Sequence, residues 1–247
     1  IDELNGIVVR SPHLPEWSNV NLKELIFNQL QIPVIIDNDA NVAALAEFRF
    51  SHCKVSPSLL FMTISTGIGA GLVIHGDIYR GRLGFAGEVG HMPIPWFNSI
   101  NQLDWPCTLE SLASGTGLVS QMQRKMASEN SPSGLEQEVL DASVLNAIDL
   151  FTLSSKGSRI AKTVIQDGIA ALGLGFTTLV NILDPGVLVI GGGLSNQWDG
   201  YIQPALAFMR KHTFAETGKD LLVTTPNLGA RAGAMGSILL ASESIPT

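Results

Sequence analysis

The segment Ile32–Phe48 limits the fold more than any other part of this chain. A β-branched run, Val34–Ile36, ends at Asp37-Asn38-Asp39, and an alanine-rich pattern typical of a helix follows over Ala40–Phe48. Because the run is apolar throughout, it predicts a strand buried on both faces. A buried strand that leads at once into a helix is typical of α/β proteins, whose ligands bind beyond the carboxyl ends of the strands.

The polar triplet Asp37-Asn38-Asp39 has two interpretations. One residue caps the following helix, because Asn and Asp side chains accept hydrogen bonds from the unpaired amides of a first turn. Capping needs one residue rather than three, so the others are candidates for ligand binding. Capping is a stronger alternative for Asp37 than for Asn38 and Asp39, and ligand binding stays open for all three.

Strand and helix patterns alternate along the whole chain, which favours a mixed α/β fold. The predicted strands are Ile7–Val9, Val34–Ile36, Leu59–Ser65, Gly71–His75, Ile78–Tyr79, Val187–Ile190 and Leu221–Thr225. The predicted helices are Leu22–Leu30, Ala40–Phe48, Leu109–Lys125, Val139–Leu153, Ile160–Leu183 and Ala230–Ala241.

Composition excludes several classes of protein. Charged residues make up 15% of the chain, against about 25% in an average soluble domain. The net charge of -7 argues against a grip on nucleic acid by this chain itself. The two cysteines give no disulfide framework, and no apolar run is long enough to predict a membrane span, so we expect a cytoplasmic protein. Since the chain opens at Ile1 without an initiator Met, we expect a fragment of a longer protein.

Two glycine-rich segments are candidates for nucleotide binding. Ser65–Gly71 lies between two predicted strands, where consecutive amides of a turn bind phosphate oxygens, although a plain glycine hairpin explains it equally well. Gly191-Gly192-Gly193 follows an apolar strand, which suits a nucleotide site or an ordinary strand-to-helix turn.

Three further polar residues are candidates for ligand binding. Glu88 and His91 lie three apart in the glycine-flanked segment Phe85–His91, where a surface turn is the other interpretation. Glu110 opens a predicted helix, and its charge at the positive helix end would by itself account for it.

These segments, in this order, resemble the ROK family of repressors, open reading frames and sugar kinases. The resemblance covers the chain from Gly6 to about Ala241. It is carried by the motifs Asp37-Asn38-Asp39-Ala40-Asn41, Thr66-Gly67-Ile68-Gly69-Ala70-Gly71, Tyr79-Arg80-Gly81, Ala86-Gly87-Glu88-Val89-Gly90-His91, Leu109-Glu110-Ser111, Asn181-Ile182-Leu183-Asp184-Pro185 and Gly191-Gly192-Gly193.

The resemblance implies an α/β fold of the actin-like ATPase, ribonuclease-H-like kind, in which two domains close over a cleft. For this chain it implies a truncated first domain and a complete second domain. We expect residues 1–48, with the helix of residues 230–247 packed back on them, to be what remains of the first domain, and residues 49–229 to form the second.

The resemblance also implies a sugar site and a nucleotide site. A hexose or N-acyl-hexosamine would be bound by Asn38, Asp39, Glu88, His91 and Glu110. In kinase members the residue matching Asp39 is the general base that takes the proton from the attacking sugar hydroxyl. Nucleotide contacts would come from Thr66, Gly67, Gly69, Gly192 and Gly193.

The chain departs from the family pattern in two places. It contains no Asp-x-Gly-Gly-Thr phosphate motif, which family kinases carry on the first strand of the fold. Family members usually hold a structural zinc with the histidine matching His91 and three cysteines, whereas Asn98–Glu110 offers only Cys107. One thiolate and one imidazole do not make a tetrahedral zinc site, so we predict no zinc. We expect Trp96, Phe97 and Trp105 to pack this loop instead.

Two functions follow from the resemblance. The first is the sugar-binding part of a ROK transcriptional regulator, which would contact DNA only through a domain absent from this chain. The second is an ATP-dependent sugar kinase, which would need ATP and Mg²⁺. A homodimer is expected in both cases, with a sugar ligand and no membrane partner.

Overall fold

The structure, a computed structural model, describes residues 1–3, 5–10, 14, 16–52, 54–95, 107–128, 146–214, 216–218 and 220–243. Within these residues the strands are β1 Ile7–Arg10, β2 Ser18–Asn21, β3 Leu59–Ile64, β4 Ile68–Ile74, β5 Asp77–Ile78, β6 Val187–Gly191 and β7 Leu222–Thr224. The α-helices are α1 Leu22–Leu30, α2 Asp39–Glu47, α3 Leu109–Ala113, α4 Gly115–Ser128, α5 Ala147–Ser155, α6 Arg159–Leu183, α7 Gln203–His212 and α8 Ala232–Glu243.

A five-stranded mixed sheet forms the centre of the molecule, with the strand order β5-β4-β3-β6-β7. β3 pairs with β4 as an antiparallel hairpin and with β6 in parallel. β6 is buried along its whole length, because helices cover both faces of the sheet. The mixed α/β prediction is therefore confirmed.

Alternate residues of β3 point into two separate apolar clusters. Leu59 and Phe61 join the cluster beneath α2 and α8, whereas Leu60, Met62 and Ile64 join the larger cluster beneath α3–α7. The period of two in a strand explains this division. The sequence of β3 is almost continuously hydrophobic because both faces of the strand are buried.

The helix α6 is the longest element of the described residues. Among the described helices it is the one long and apolar enough to cross a membrane. Of its most apolar stretch, 56% is buried inside the protein. Its glycines admit large neighbours: Gly168 faces Tyr201, Gly173 faces Phe208 and Gly175 faces Leu109. The helix thus contributes much of the larger apolar cluster.

The helix α2 is fixed at both ends and along its length. Asn38 caps its first turn. At its last residue, the fully buried Glu47 accepts hydrogen bonds from the backbone amides of Asn227 (3.1 Å) and Leu228 (2.8 Å). Between its ends it packs against α8, β3 and β4. The first residues of α2 are therefore held in one place relative to the sheet.

The prediction of a buried strand at Val34–Ile36 is wrong. No strand of the described residues pairs with this segment, and Ile32 and Ile35 are 52% and 45% exposed. The segment instead borders a largely apolar cavity of about 670 Å³ that also reaches Asp39. A β-branched sequence gives strand propensity, but a strand forms only where a partner supplies the hydrogen bonds.

Other predicted boundaries change for local reasons. β1 pairs with β2, which the polar sequence Ser18–Asn21 did not reveal. The predicted helix Leu109–Lys125 is broken at Ser114, whose backbone is extended and whose hydroxyl caps α4 at the Gly117 amide. The part of the predicted helix Val139–Leu153 before Asn146 lies outside the described residues.

Substitutions within α8 test how closely it packs on α2. A Cβ at Gly236 would overlap the carbonyl of Val42, whereas a Cβ at Gly233 would meet nothing within 4 Å. We expect Gly236→Ala to lower the free energy of unfolding by about 1–3 kcal/mol. The control Gly233→Ala should stay within about 1 kcal/mol of the wild type. Urea unfolding measures both, and equal stabilities would contradict this packing.

Candidate functional site

The helix α2 begins with a cap that leaves part of Asp39 available. The Asn38 Oδ1 accepts a hydrogen bond from the Ala40 amide at 2.8 Å, so the capping residue is Asn38 rather than Asp37. The Asp39 Oδ1 accepts from the same amide at 2.8 Å. This hydrogen bond engages one carboxylate oxygen of Asp39. Within the described residues, no donor is bonded to the other oxygen, Oδ2.

Asp37 belongs to a buried cluster of two carboxylates and one guanidinium. Arg80 contacts the Asp37 Oδ2 at 2.6 Å and the Glu3 Oε2 at 2.5 Å. The Asn41 amide donates to both carboxylates at 3.0 Å. The cluster ties the residue before the Asn38-Asp39 pair to the segment that follows β5.

The cluster holds more carboxylate than the single guanidinium neutralises. Burial raises the pKa of Glu3 to about 7, and the hydrogen bond and repulsion from Asp37 add to this, while Arg80 and Asn41 oppose it. Near neutral pH the cluster therefore takes up a proton. Sequence reasoning missed Glu3 because nothing local marks it. Arg80 belongs to the Tyr79-Arg80-Gly81 motif, but no sequence pattern indicates its partner.

β4 brings α2 close through its glycines. A Cβ built on Gly69 would lie 4.0 Å from the Ala40 Cβ. A Cβ built on Gly71 would overlap the Ala40 carbonyl. Only glycine at position 71 lets the first turn of α2 approach the strand this closely. Asp39, one residue before Ala40, is thereby held beside β4.

The segment that carries Glu88 and His91 lies along the outer edge of β4. The Ala70 amide donates to the Gly87 carbonyl at 3.1 Å, and Gly87 has a positive φ of 93°. The structure brings His91 and Glu88 side by side, with Nε2 and Oε2 3.9 Å apart, and both side chains are exposed. They form a polar pair that is open to a ligand.

Glu110 is held by an amide outside its own helix. Its Oε2 accepts a hydrogen bond from the Ile68 amide at 2.8 Å. The Gly90 backbone lies against it, since a Cβ built there would be 3.3 Å from the Glu110 Cβ. A charge effect at the start of α3 therefore does not account for Glu110 by itself, and the residue joins the segment of Glu88 and His91.

The glycine turn is shorter than the sequence predicted. β4 begins at Ile68, so the turn comprises Ser65–Gly67 and Gly69 belongs to the strand. The turn is bonded to α4, because the Gly115 amide donates to the Ser65 carbonyl at 2.7 Å and Thr116 donates to the Thr66 carbonyl. The Ile68 amide, which a phosphate would share in a nest, is already bonded to Glu110.

Two cavities meet at the segment that follows the glycine run. One, of about 640 Å³, is lined by Asp39 and Gly191–Gly193. The other, of about 540 Å³, is lined by Thr66, Thr116 and Asn146. Gly193 and Asn196 line both cavities. Asp39 and Thr66 thus face spaces on the two sides of Gly193, which brings one predicted sugar residue and one predicted nucleotide residue into the same region. The other four predicted sugar residues line neither cavity.

The zinc prediction concerns a loop that is only partly described. Among the described residues no three His, Cys, Asp or Glu side chains come together as a metal site. Trp96, Phe97 and Trp105 lie outside the described residues. The absence of zinc stays a prediction, and stoichiometric zinc found by metal analysis of the purified protein would contradict it.

Comparison with known proteins adds the family context. A model of the ROK family matches residues 1–244. The chain is 32% identical over 243 residues to the protein named "Putative xylose repressor" of a Caldicellulosiruptor species, which covers 97% of this chain and 59% of that relative. It is 30% identical over 226 residues to a glucokinase of Halalkalibacterium halodurans, which covers 89% of this chain and 67% of that relative. The chain thus spans less than two thirds of the repressor's length.

A solved structure gives the same fold. The ROK family glucokinase from Streptomyces griseus, in complex with glucose and AMPPNP, aligns with a TM-score of 0.75 at 26% identity, over 99% of this chain and 79% of that chain. The prediction of an actin-like ATPase fold is confirmed.

The pH dependence of stability tests the buried cluster. The unfolded chain releases the Glu3 proton near the ordinary pKa of 4.5, whereas the folded protein retains it up to about pH 7. Between these values the folded state binds more protons, so the free energy of unfolding falls as pH rises. Glu3→Gln cannot ionise and removes this contribution. It should match the wild type near pH 4 and exceed it by about 1–3 kcal/mol near pH 8.

The control for this experiment is Glu16→Gln, which changes an exposed carboxylate between β1 and β2. The gain in stability toward pH 8 should be specific to Glu3→Gln, which removes a carboxylate of the Arg80 cluster. Denaturant unfolding across the pH range gives each free energy. A pH-independent difference between Glu3→Gln and the wild type would show that Glu3 is not the group that titrates.

Proposed function

Because the chain belongs to the ROK family, we propose that it binds a hexose or N-acyl-hexosamine with the residues around β4. The sugar-binding set is Asn38, Asp39, Glu88, His91 and Glu110. The observation that carries this proposal is the convergence on β4 of three segments that contribute a carboxylate each. α2 packs against the glycines of β4, and the segment of Glu88 runs along the edge of β4. Glu110 is bonded to the first amide of β4.

The chemistry of these side chains suits a sugar. A carboxylate accepts hydrogen bonds from two neighbouring hydroxyls, and charge-assisted bonds of this kind are about twice as strong as neutral ones. The Asn38 amide, whose oxygen caps α2, keeps its NH₂ group as a donor toward a hydroxyl oxygen. Carboxylates that alternate with an amide and an imidazole offer both acceptors and donors around a ring of hydroxyls.

Within the family, we propose that the chain is the sugar-binding part of a transcriptional regulator. The segments Ile78–Gly81 and Gly84–Glu88 resemble the regulators, and the similarity to the Caldicellulosiruptor relative supports this assignment. With a net charge of -7, this chain would leave contact with DNA to another domain. We further propose a cytoplasmic homodimer, in keeping with the family, with domains at residues 1–48 plus 230–247 and at residues 49–229.

Sugar binding is tested by calorimetric titration of the full-length protein with hexoses, N-acyl-hexosamines and xylose. We expect Glu88→Gln to weaken binding of the preferred sugar by at least about tenfold, because a charged acceptor is lost. The matched control is Asp77→Asn, which changes another exposed carboxylate at the far end of β4 and should leave affinity within about twofold. No binding of any sugar by the wild type would overturn the proposal.

The second candidate function is an ATP-dependent sugar kinase, and one observation favours it. Asp39 lines the same cavity as Gly191–Gly193, the residues expected to contact a nucleoside. With its Oδ1 fixed by the Ala40 amide, Asp39 would orient a sugar hydroxyl and take its proton as the γ-phosphoryl group is transferred. ATP with Mg²⁺ would supply the phosphoryl group, with Thr66, Gly67, Gly69, Gly192 and Gly193 as the proposed nucleotide contacts.

An assay of ATP-dependent sugar phosphorylation by the full-length protein separates the two functions. The regulator proposal predicts sugar binding without turnover. Robust turnover would instead establish the kinase, and Asp39→Asn should then lower kcat by about 10²–10⁴-fold, because the general base is lost. A kinase whose Asp39→Asn variant keeps full kcat would contradict the role of Asp39.

A further inference from the structure

We propose that Gly67 is a positioning residue for the sugar-binding carboxylate of Glu110. The inference rests on the proposed sugar site and assigns a new task to a glycine that the family pattern associates with phosphate. Its basis is the space between the glycine turn and the Glu110 side chain, which only a glycine leaves free.

The contact between position 67 and Glu110 has no room for a side chain. A Cβ built on Gly67 would lie 2.6 Å from the Glu110 Oε2 and 3.4 Å from its Cδ. Real Cβ atoms essentially never approach an oxygen this closely. The same Oε2 is bonded to the Ile68 amide at 2.8 Å. An alanine at position 67 would therefore push away the oxygen that anchors the carboxylate.

The turn itself is bound to the protein and is not free to retreat. The Ser65 carbonyl accepts from the Gly115 amide at 2.7 Å. The Thr66 carbonyl accepts from both the amide and the hydroxyl of Thr116, at 3.2 Å and 2.7 Å. Two successive carbonyls are thus tied to α4 just before position 67.

The backbone of α3 is held equally firmly. Leu109 is fully buried in the larger apolar cluster. On the far side, the Glu110 carbonyl lies against Gly117, where a Cβ would overlap it. With both backbones fixed, the carboxylate end of Glu110 is the part that moves. Such a shift costs little stability, yet it breaks the bond to Ile68 and changes where the carboxylate is presented to a sugar.

The displaced side chain also has little space in which to settle. Gly90 approaches Glu110 from another direction, with its built Cβ 3.3 Å from the Glu110 Cβ. Gly90 and Gly67 thus confine Glu110 between the Glu88 segment and the turn. The position of the carboxylate depends on the absence of a side chain at residue 67.

A glycine outside the proposed sugar and nucleotide contacts provides a matched control. Gly200 is exposed, and a Cβ built on it would meet nothing within 4 Å. Neither Gly67 nor Gly200 has a positive φ, so neither position needs glycine for that reason. Gly67→Ala and Gly200→Ala therefore make the same chemical change and differ in whether it reaches Glu110.

The test is calorimetric titration of the full-length protein with its preferred sugar in the absence of nucleotide, so that phosphate contacts play no part. We expect Gly67→Ala to raise the sugar Kd at least about tenfold, and Gly200→Ala to change it by less than about twofold. A Gly67→Ala variant with normal sugar affinity would overturn the inference. A raised KM for ATP together with an unchanged sugar Kd would also overturn it and would assign Gly67 to phosphate binding.

A double-mutant cycle with Glu110→Ala keeps the test decisive if Gly67→Ala is unstable. Any loss in the urea unfolding midpoint caused by Gly67→Ala should disappear in the Glu110→Ala background, because the clash is gone. A loss that persists there would place the strain in the backbone and overturn the inference. A wild type that binds no sugar refutes the proposed function together with this role of Gly67. A sugar-binding wild type with an unaffected Gly67→Ala variant refutes the role of Gly67 alone.

Discussion

The close contact between α2 and β4 is the interaction on which the rest of the site depends. Gly71 allows the carbonyl of Ala40 to lie against the strand, and Gly69 places no side chain on the same face of β4. Hydrophobic packing of α2 and α8 on the sheet holds this contact closed. Because Asp39 opens α2, its place beside the strand follows from the packing of small residues.

The carboxylates of the site are held by two different physical means. Glu110 is anchored by one backbone amide and confined by glycines, so its position follows from backbone geometry. Asp37 is held by Arg80 in a buried cluster that contains more negative than positive charge. The second arrangement gains or loses a proton near neutral pH, because burial raises the pKa of Glu3 to about 7. Arg80 also links the chain before Asn38 to the segment that leads to Glu88.

Much of the fold follows from local sequence, and the exceptions have physical reasons. The helix Leu22–Leu30 matches its predicted bounds, since apolar periodicity and an Asn cap are local signals. The segment Val34–Ile36 fails as a strand because pairing depends on a neighbour that no local pattern reveals. β2 was missed because its residues are polar and its pairing with β1 supplies the order.

The site shows the same division between local and tertiary information. Sequence motifs identified Glu88, His91 and Glu110 as candidate ligand-binding residues, and the structure brings their segments to one strand. The partner of Glu110 at Ile68 could not be predicted, because the two residues are joined only by the approach of α3 to the turn. The capping residue of α2 could not be predicted, because the choice depends on a tertiary contact: Arg80 engages Asp37, and Asn38 accepts from the Ala40 amide.

The central claim is that a sugar binds among the carboxylates gathered on β4. A crystal structure of the full-length protein with its preferred sugar tests this most directly. The account predicts sugar hydroxyls within about 3 Å of the carboxylate oxygens of Asp39, Glu88 and Glu110, with Glu110 still bonded to the Ile68 amide. A sugar bound elsewhere, for example between Thr116 and Asn146 with none of these carboxylates in contact, would contradict it.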